Sequence, residues 1–402
     1  MALSQQRLDY NGYIRSAKIY LQQTPKDYKS AAERCEDAIK YYSDKPPLEA
    51  HFILGSIYAD KRLYEDMAKE FNIIKELCDN PKDKNARKEC DKVDFFEDME
   101  KIIAREWIDQ YNSGVNALKR AREADTCSSI VDEALQAECQ TEVQETYDYA
   151  REYFEVSTLV LPDSAQGWIN LGLIYYSTGH PEKALDEYRH AMGINDKDLS
   201  LLSNMATIYF NKHEYDSAAS YFNKMLDLNL DEQSKADVLY NMAFAMNAVD
   251  NLDSAIVLLG KVIEITPESP DALYNLGAFK IRKTADYNND IKLLRGEDDG
   301  LAKKNRPQID SIMNIIKEMY TDAIPDFEKV IKLQPDNIDA LDWLGNAYFF
   351  LERWDDAEEM YAKIIEMKPD DNESAWCQML ILKLKKNDKA GIEEAKKHCN
   401  QN

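Results

Sequence analysis

Glycine and proline are scarce in this chain, at 13 and 12 of 402 residues. No stretch approaches the ~18–20 consecutive apolar residues of a membrane span. At 44% hydrophobic and 31% charged residues, the chain carries enough apolar material for a packed core, which excludes wholesale disorder. Leu, Ala, Glu and Lys fill long stretches in which apolar residues recur three and four positions apart. This spacing predicts an all-α fold.

Positive charge is also in deficit, because 50 Lys and Arg stand against 74 Asp and Glu and give a formal net charge of −24. Such a surface repels DNA, RNA and anionic lipid. We therefore expect no nucleic-acid partner and no direct membrane insertion, and a neutral or basic protein is the natural complement. The alternative is that the charge only keeps the surface solvated.

The sequence lacks the motifs of catalysis and of metal binding. There is no HExxH, GxSxG, GxGxxG or glycine-rich phosphate loop. The acidic segment ADYNNDIKLL lacks the glycine and the twelfth-position glutamate of a calcium loop. We interpret the runs of Asp and Glu as solvated helix faces. The sequence therefore predicts a protein that is not an enzyme and that binds no cofactor and no metal.

A recurring spacing of small and large residues is the strongest positive signal. Counted from Trp168, it places Leu171 at +3, Gly172 at +4, Ala184 at +16 and Tyr188 at +20. The same offsets recur from four further starting residues, which are His51, Leu202, Leu239 and Leu341. Small residues at +4 and +16 let two helices touch closely. Large residues at +3, +7, +20 and +23 fill the seam, and a proline at +28 ends the second helix.

This pattern resembles the tetratricopeptide repeat, a helix pair with a Trp-Leu-Gly-Tyr first helix and an Ala-Phe-Pro second helix. The resemblance implies an all-α, right-handed superhelical solenoid of helix pairs. Asp196 and Leu230 stand where proline is usual, and His51 replaces the usual tryptophan. The family is permissive at these positions. Weaker copies near Ala31 and after Glu373 extend the array to both ends.

Two helix pairs are interrupted by insertions. Starting from Leu273, the alanine that fits the +16 offset is Ala323 instead of residue 289, so 34 residues are added. Starting from Gln110, the fitting residue is Ala150 instead of residue 126, so 24 residues are added. Helical spacing continues through the added sequence that precedes Ala323. We interpret both insertions as protruding helical hairpins, and the alternative is a disordered loop.

The repeats and insertions predict six segments. They are N-terminal repeats in residues 1–81, a linker and lead-in helix in 82–106, an extended unit in 107–164, three tandem repeats in 165–269, a second extended unit in 270–337, and a C-terminal repeat with capping helices in 338–402.

Six of the seven cysteines form local pairs that could close across a turn. The candidate disulfides are Cys78–Cys90, Cys127–Cys139 and Cys377–Cys399. Disulfides would place the chain in an oxidising compartment, such as the bacterial periplasm or surface, as a mature chain from which a leader was removed. The alternative is seven reduced thiols in a cytoplasmic protein.

The family resemblance also implies a groove, because first helices line the concave face of such arrays and their +2 residues point into it. The +2 positions hold Asn112, Asn170, Asn204, Asn241, Asn275 and Trp343. Neighbouring groove positions hold the aromatic residues Tyr176, Phe210, Tyr240, Phe244, Tyr274 and Phe349. Amides can donate to and accept from a peptide backbone, and aromatic rings add apolar contact. The alternative is that the amides only hydrogen-bond within the array.

The sequence thus predicts a scaffold or adaptor that binds an extended peptide or a helix of a partner protein in this groove. Family members that grip the acidic tails of chaperones use Lys and Arg there. The +9 positions of this chain hold a single cation, Arg282, so that ligand is not expected. The alternative function is a structural component that assembles with copies of itself or within a larger complex.

Overall fold

The computed structural model describes residues 8–41, 47–81, 84–91, 94–124, 127–130, 132–296, 299–368 and 373–399. These residues are helical with short connections and contain no β-strand, which confirms the predicted all-α class. Residues 82–83 and 92–93 of the predicted linker, and residues 297–298 within the second insertion, lie outside these ranges. Within them, every helix is too short or too polar to cross a membrane.

The chain divides into two compact units, residues 1–204 and 205–402. The first unit contains α1 (Tyr10–Gln22), α2 (Tyr28–Tyr41), α3 (Leu48–Asp60), α4 (Tyr64–Asp79), α5 (Lys84–Cys90), α6 (Phe96–Ala124), α7 (Glu133–Val160), α8 (Ala165–Ser177) and α9 (Pro181–Ile194). The boundary falls inside α10 (Leu199–Asn211). The second unit contains α11 (Tyr215–Leu226), α12 (Glu232–Ala248), α13 (Leu252–Ile265), α14 (Pro270–Arg295), α15 (Asp299–Lys304), α16 (Arg306–Leu333), α17 (Ile338–Phe350), α18 (Trp354–Met367), α19 (Glu373–Lys385) and α20 (Lys389–His398).

In five helix pairs an aromatic ring of the second helix lies against a glycine of the first. A Cβ atom built on Gly172 of α8 would lie 2.4 Å from Cε1 of Tyr188 on α9, so only a residue without a side chain fits there. The interrupted pair of the second unit has the same packing, since a Cβ on Gly277 would lie 2.7 Å from Cζ of Phe327. The inserted residues therefore leave this contact between α14 and α16 unchanged.

The turn within a pair also repeats. A residue in the left-handed region follows the first helix in six turns, at Arg62, Gly179, His213, Asp250, Glu352 and Asn387. The next backbone N–H then bonds back into the helix, as His180 does to the carbonyl of Tyr175 at 2.7 Å. This hydrogen bond satisfies a carbonyl at the helix end and fixes where the second helix begins.

The two interrupted pairs have much longer helices than the others. Helices α6 and α7 contain 29 and 28 residues, and α14 and α16 contain 26 and 28, against 13 in α8. The added turns bury apolar side chains between the paired helices. The buried members are Leu118, Ala121 and Val143 in the first pair, and Ile291, Ile309 and Ile316 in the second.

Three disulfides join residues that are close in sequence. They are Cys78–Cys90, Cys127–Cys139 and Cys377–Cys399, with Cα–Cα distances of 5.6, 5.7 and 4.8 Å. Cys35 is a free thiol that is fully buried in the first unit. Its burial, aided by nearby carboxylates such as Glu36, raises the pKa of the thiol to about 12.

Candidate functional site

Three first helices of the second unit, α12, α14 and α17, carry matching side chains on one face. We call this surface the first-helix face and define it by the offsets −2, +2, +5 and +9, which lie on one side of a helix. Its residues are Asp237, Asn241, Phe244 and Ala248 on α12, Asp271, Asn275, Ala278 and Arg282 on α14, and Asp339, Trp343, Asn346 and Phe350 on α17. Each helix thus presents an aspartate, in the first turn of α14 and α17 and one turn further along in α12.

Hydrogen bonds join the +2 residue of one first helix to a tyrosine at +1 of the preceding first helix. Asn275 Nδ2 donates to the Tyr240 hydroxyl at 3.0 Å, and Trp343 Nε1 donates to the Tyr274 hydroxyl at 3.1 Å. The first unit has the same contact, because Asn170 Nδ2 donates to the Tyr111 hydroxyl at 3.2 Å. These side chains therefore connect consecutive helix pairs as well as lining a surface.

The amide of Asn275 also donates to the Asp271 carbonyl, at 2.7 Å, and that of Asn170 to the Gln166 carbonyl, at 3.0 Å. Both N–H groups of these amides are then occupied. Their Oδ1 atoms accept no hydrogen bond from the part of the chain that the structure describes. An incoming ligand would meet an acceptor at these two positions and would have to supply an N–H or O–H group.

The remaining predicted amides differ in exposure. Asn112 on α6 and Asn241 on α12 are exposed, whereas Asn204 on α10 is half-buried. The Asn204 side chain lies close enough to Tyr188 to oppose the rise in the pKa of that phenol, which burial causes. The exposed Asn241 is thus the amide of the second unit with the most freedom to bind a ligand.

The predicted aromatic residues fall into two groups. Tyr240 lies beside the first-helix face, against its residue Phe244, with 5.0 Å between ring centroids. Phe210 and Phe349 instead pack edge-on against the second helix of their own pair, on Tyr215 at 5.3 Å and Trp354 at 5.1 Å. Tyr176 is half-buried near the end of α8 in the first unit. That the residues of both units share one groove remains a prediction.

Tyr274 and Trp343 both pack against the buried ring of Phe327. Phe327 of α16 lies 6.0 Å from Tyr274 and 6.2 Å from Trp343 between ring centroids, in parallel stacking with the indole. Since Trp343 also donates to the Tyr274 hydroxyl, its orientation is fixed from two sides. The exposed edge of this indole is a rigid part of the first-helix face.

An acidic cleft of about 650 Å³ lies where α12 and α14 begin. Its wall includes Asp237, Glu268 and Asp271, with Lys329 as the cation that lines it. Burial raises the pKa of Tyr240 in the same wall, and the charge of Asp271 adds to the rise. The excess of carboxylates favours a cationic group of a ligand over an anionic one.

The offset pattern of the sequence did not identify several residues that line this surface. Asp271 is an ordinary first-turn acid, which stabilises a helix through its dipole, and Asp237 is an ordinary exposed acid in the second turn of α12. Thr284, Asn288 and Tyr320 line a second pocket, at the junction with the inserted turns of α14 and α16. The described residues contain no cluster of three or more His, Cys, Asp or Glu side chains that could hold a metal ion.

Comparison with known sequences identifies the repeat. The tetratricopeptide repeat profile matches residues 165–198 and 315–380. The TPR repeat-containing protein MJ1428 of Methanocaldococcus jannaschii is 26% identical over 224 residues, which are 51% of this chain and 37% of that protein. The Photosystem I assembly protein Ycf3 of Prochlorococcus marinus is 42% identical over 67 residues, 16% of this chain and 38% of that protein. The chain thus spans little more than a third of either relative.

Among solved structures, the C-terminal part of a TPR repeat-containing protein from Cytophaga hutchinsonii aligns with a TM-score of 0.48 and 16% identity. The alignment covers 64% of this chain and 90% of that one. The profile matches, the relative named for its repeats and the helix pairs described above agree that the chain contains tetratricopeptide repeats, with profile matches at residues 165–198 and 315–380.

Proposed function

We propose that this protein is a non-enzymatic scaffold that binds an extended segment of a partner protein on the first-helix face. The observation that carries the proposal is the alignment of amide, aromatic and acidic side chains across α12, α14 and α17. The exposed Asn241 offers a donor and an acceptor, and Asn275 keeps an acceptor because its two N–H groups donate to Tyr240 and Asp271. Such groups suit the backbone of a peptide that has no paired strand or helix of its own.

The charge of the face favours a basic or neutral segment. Asp237, Asp271 and Asp339 are exposed at matching positions, whereas the exposed Arg282 is held by Asn247 at 2.6 Å and lies 3.6 Å from Asp250. The net charge of −24 extends the same preference to the whole chain. Attraction between unlike charges speeds encounter and weakens with salt.

The names of two relatives support an interaction role. The relative from Prochlorococcus marinus is named as an assembly protein, and a mouse relative, 25% identical over 127 residues, is named as a BBSome complex member. Both names describe proteins that act together with other proteins, one in assembly and one within a complex.

The test is selection of binders from a random dodecapeptide library on the full chain, followed by affinity measurement. Asn241 is exposed, so its replacement leaves the fold intact while it removes one donor and one acceptor. Asn241→Ala is expected to weaken binding of the selected peptides about fivefold. Asn223→Ala, an exposed amide on the second helix α11, is the matched control and should leave the affinity unchanged. Equal effects of the two changes would contradict the proposed surface.

Self-assembly is a second candidate, favoured by the exposed apolar side chains of α7. Leu135 and Tyr149 on this long helix are 57% and 60% exposed. Exposed apolar residues on one helix are a common element of contacts between copies. Light scattering over a range of concentrations distinguishes the two functions. A molar mass equal to that of a single chain at every concentration argues against this second candidate.

A further inference from the structure

A pocket of about 370 Å³ opens between α14, α16 and α17. Its wall is mostly apolar and includes Phe279, Ile281, Tyr320 and Trp343, and its polar lining residues are Thr284, Arg282 and Asn288. The Thr284 hydroxyl already donates to the Ile281 carbonyl at 2.6 Å. The interior of the pocket therefore suits an apolar group that makes no hydrogen bonds.

The pocket depends on the insertion in this helix pair. The first helices α8, α12 and α17 each end at their +9 residue, which is Ser177, Ala248 and Phe350 respectively. Helix α14 instead continues past its +9 residue, Arg282, to Arg295. Thr284, Ala285 and Asn288 come from these added turns and form one side of the pocket. A repeat of ordinary length would leave this side open.

Both aromatic walls are held in place before any ligand arrives. Tyr320 stacks on Phe350 with 4.2 Å between ring centroids, and Trp343 is fixed by Phe327 and Tyr274. Fixed walls reduce the ordering cost of binding. Pockets with rigid aromatic walls are the places where single anchor residues contribute most to protein–protein affinity.

The charged residues near the pocket indicate which charge the partner segment carries next to its apolar residue. Arg282 at the rim is engaged by Asn247 and Asp250, while Asp271 on the same helix is exposed. Asp271 precedes Ala278, which lines the pocket, by seven residues, or about 10 Å along the helix axis. About three residues of an extended peptide span that distance.

We propose that this pocket binds one large apolar side chain of the partner segment, and that a basic residue at least about three positions away faces Asp271 and the acidic cleft. The inference rests on the proposed function and adds the position and chemistry of the anchor residue. It assigns to the insertion of α14 a direct part in choosing the partner.

The experiment fills the pocket. Ala285 is exposed at its wall, so Ala285→Trp can place an indole in the pocket without disturbing the core. Peptides selected from the dodecapeptide library are expected to share a large apolar residue and a Lys or Arg, and to lose about tenfold or more in affinity for this variant. Asn289→Trp, exposed on the same helix and outside the pocket, is the matched control. Asn288→Trp fills the pocket from a second position if the first variant folds poorly.

Alanine in place of the apolar residue of the peptide should lower affinity for the original chain, and should lower it little further for Ala285→Trp. This non-additivity shows that the two changes act on one contact. If Asn241→Ala weakens the peptides and Ala285→Trp does not, the pocket inference is wrong and the proposed function stands. If neither change affects binding, or if the library yields no binder, both are wrong.

Discussion

At the scale of single residues, +2 side chains connect consecutive helix pairs, and under the proposed function they also line the binding surface. The Asn275 amide joins α14 to Tyr240 of α12, and Asn170 joins α8 to Tyr111 of α6 in the same way. The sequence alone left open whether these amides bind a ligand or each other's helices. The structure shows contacts to the neighbouring helix that occupy the N–H groups and leave the carbonyl oxygens available.

The contact with Tyr240 predicts a stability effect for Asn275 that Asn241 lacks. Asn275→Ala removes the donor to Tyr240, and Tyr240→Phe removes the acceptor, so each is expected to lower the free energy of unfolding by about 1 kcal/mol. The double variant should cost less than the sum, because both changes delete one hydrogen bond. Urea unfolding measures the effect, and Asn241→Ala is the control, expected within about 0.5 kcal/mol of the original chain. Additive losses would show that the two groups do not interact.

At the scale of the helix, close approach between the two helices of a pair sets the fold. The repeat spacing in the sequence predicted this contact correctly, because a glycine and an aromatic residue recur sixteen positions apart, as Gly172 and Tyr188 do. The same spacing could not predict the pocket beside α14. Tyr320, Thr284 and Asn288 lie at or beyond the ends of the regular spacing, where the packing of α14 on α16 decides which side chains meet.

Two glycine substitutions of opposite sign test the packing. Gly172→Ala is expected to destabilise by about 1–3 kcal/mol, because the new methyl group would overlap the buried Tyr188 ring. Gly260→Ala, inside α13 with no atom within 4 Å of the added carbon, should stabilise by about 0.5–1 kcal/mol through helix propensity. Urea unfolding of both variants provides the comparison. A neutral Gly172→Ala would mean that α8 and α9 are not in close contact.

At the scale of the whole chain, three disulfides each close a short local loop. The local spacing of the cysteines already suggested these pairs, but only the Cα–Cα distances make each one geometrically feasible. The sequence could not decide between disulfides and small apolar thiols, because that choice depends on how the helices and turns fold.

Thiol titration with a disulfide reagent tests this arrangement. Under denaturing, non-reducing conditions one thiol of the seven cysteines, Cys35, should react. In the folded chain near pH 8 even Cys35 should be silent, because it is buried and its pKa of about 12 keeps the thiol protonated. Seven reactive thiols in the denatured chain would show that the disulfides do not form.

Photo-crosslinking tests most directly whether a partner segment lies on the first-helix face. A photoreactive benzoylphenylalanine replaces Asn241 on α12 or, in the control, Asn223 on α11, both exposed. Each chain is irradiated with a selected peptide and the products are identified by mass spectrometry. The peptide is predicted to crosslink from position 241 and not from position 223. Equal crosslinking at both positions, or crosslinking from position 223 alone, would contradict binding on the first-helix face.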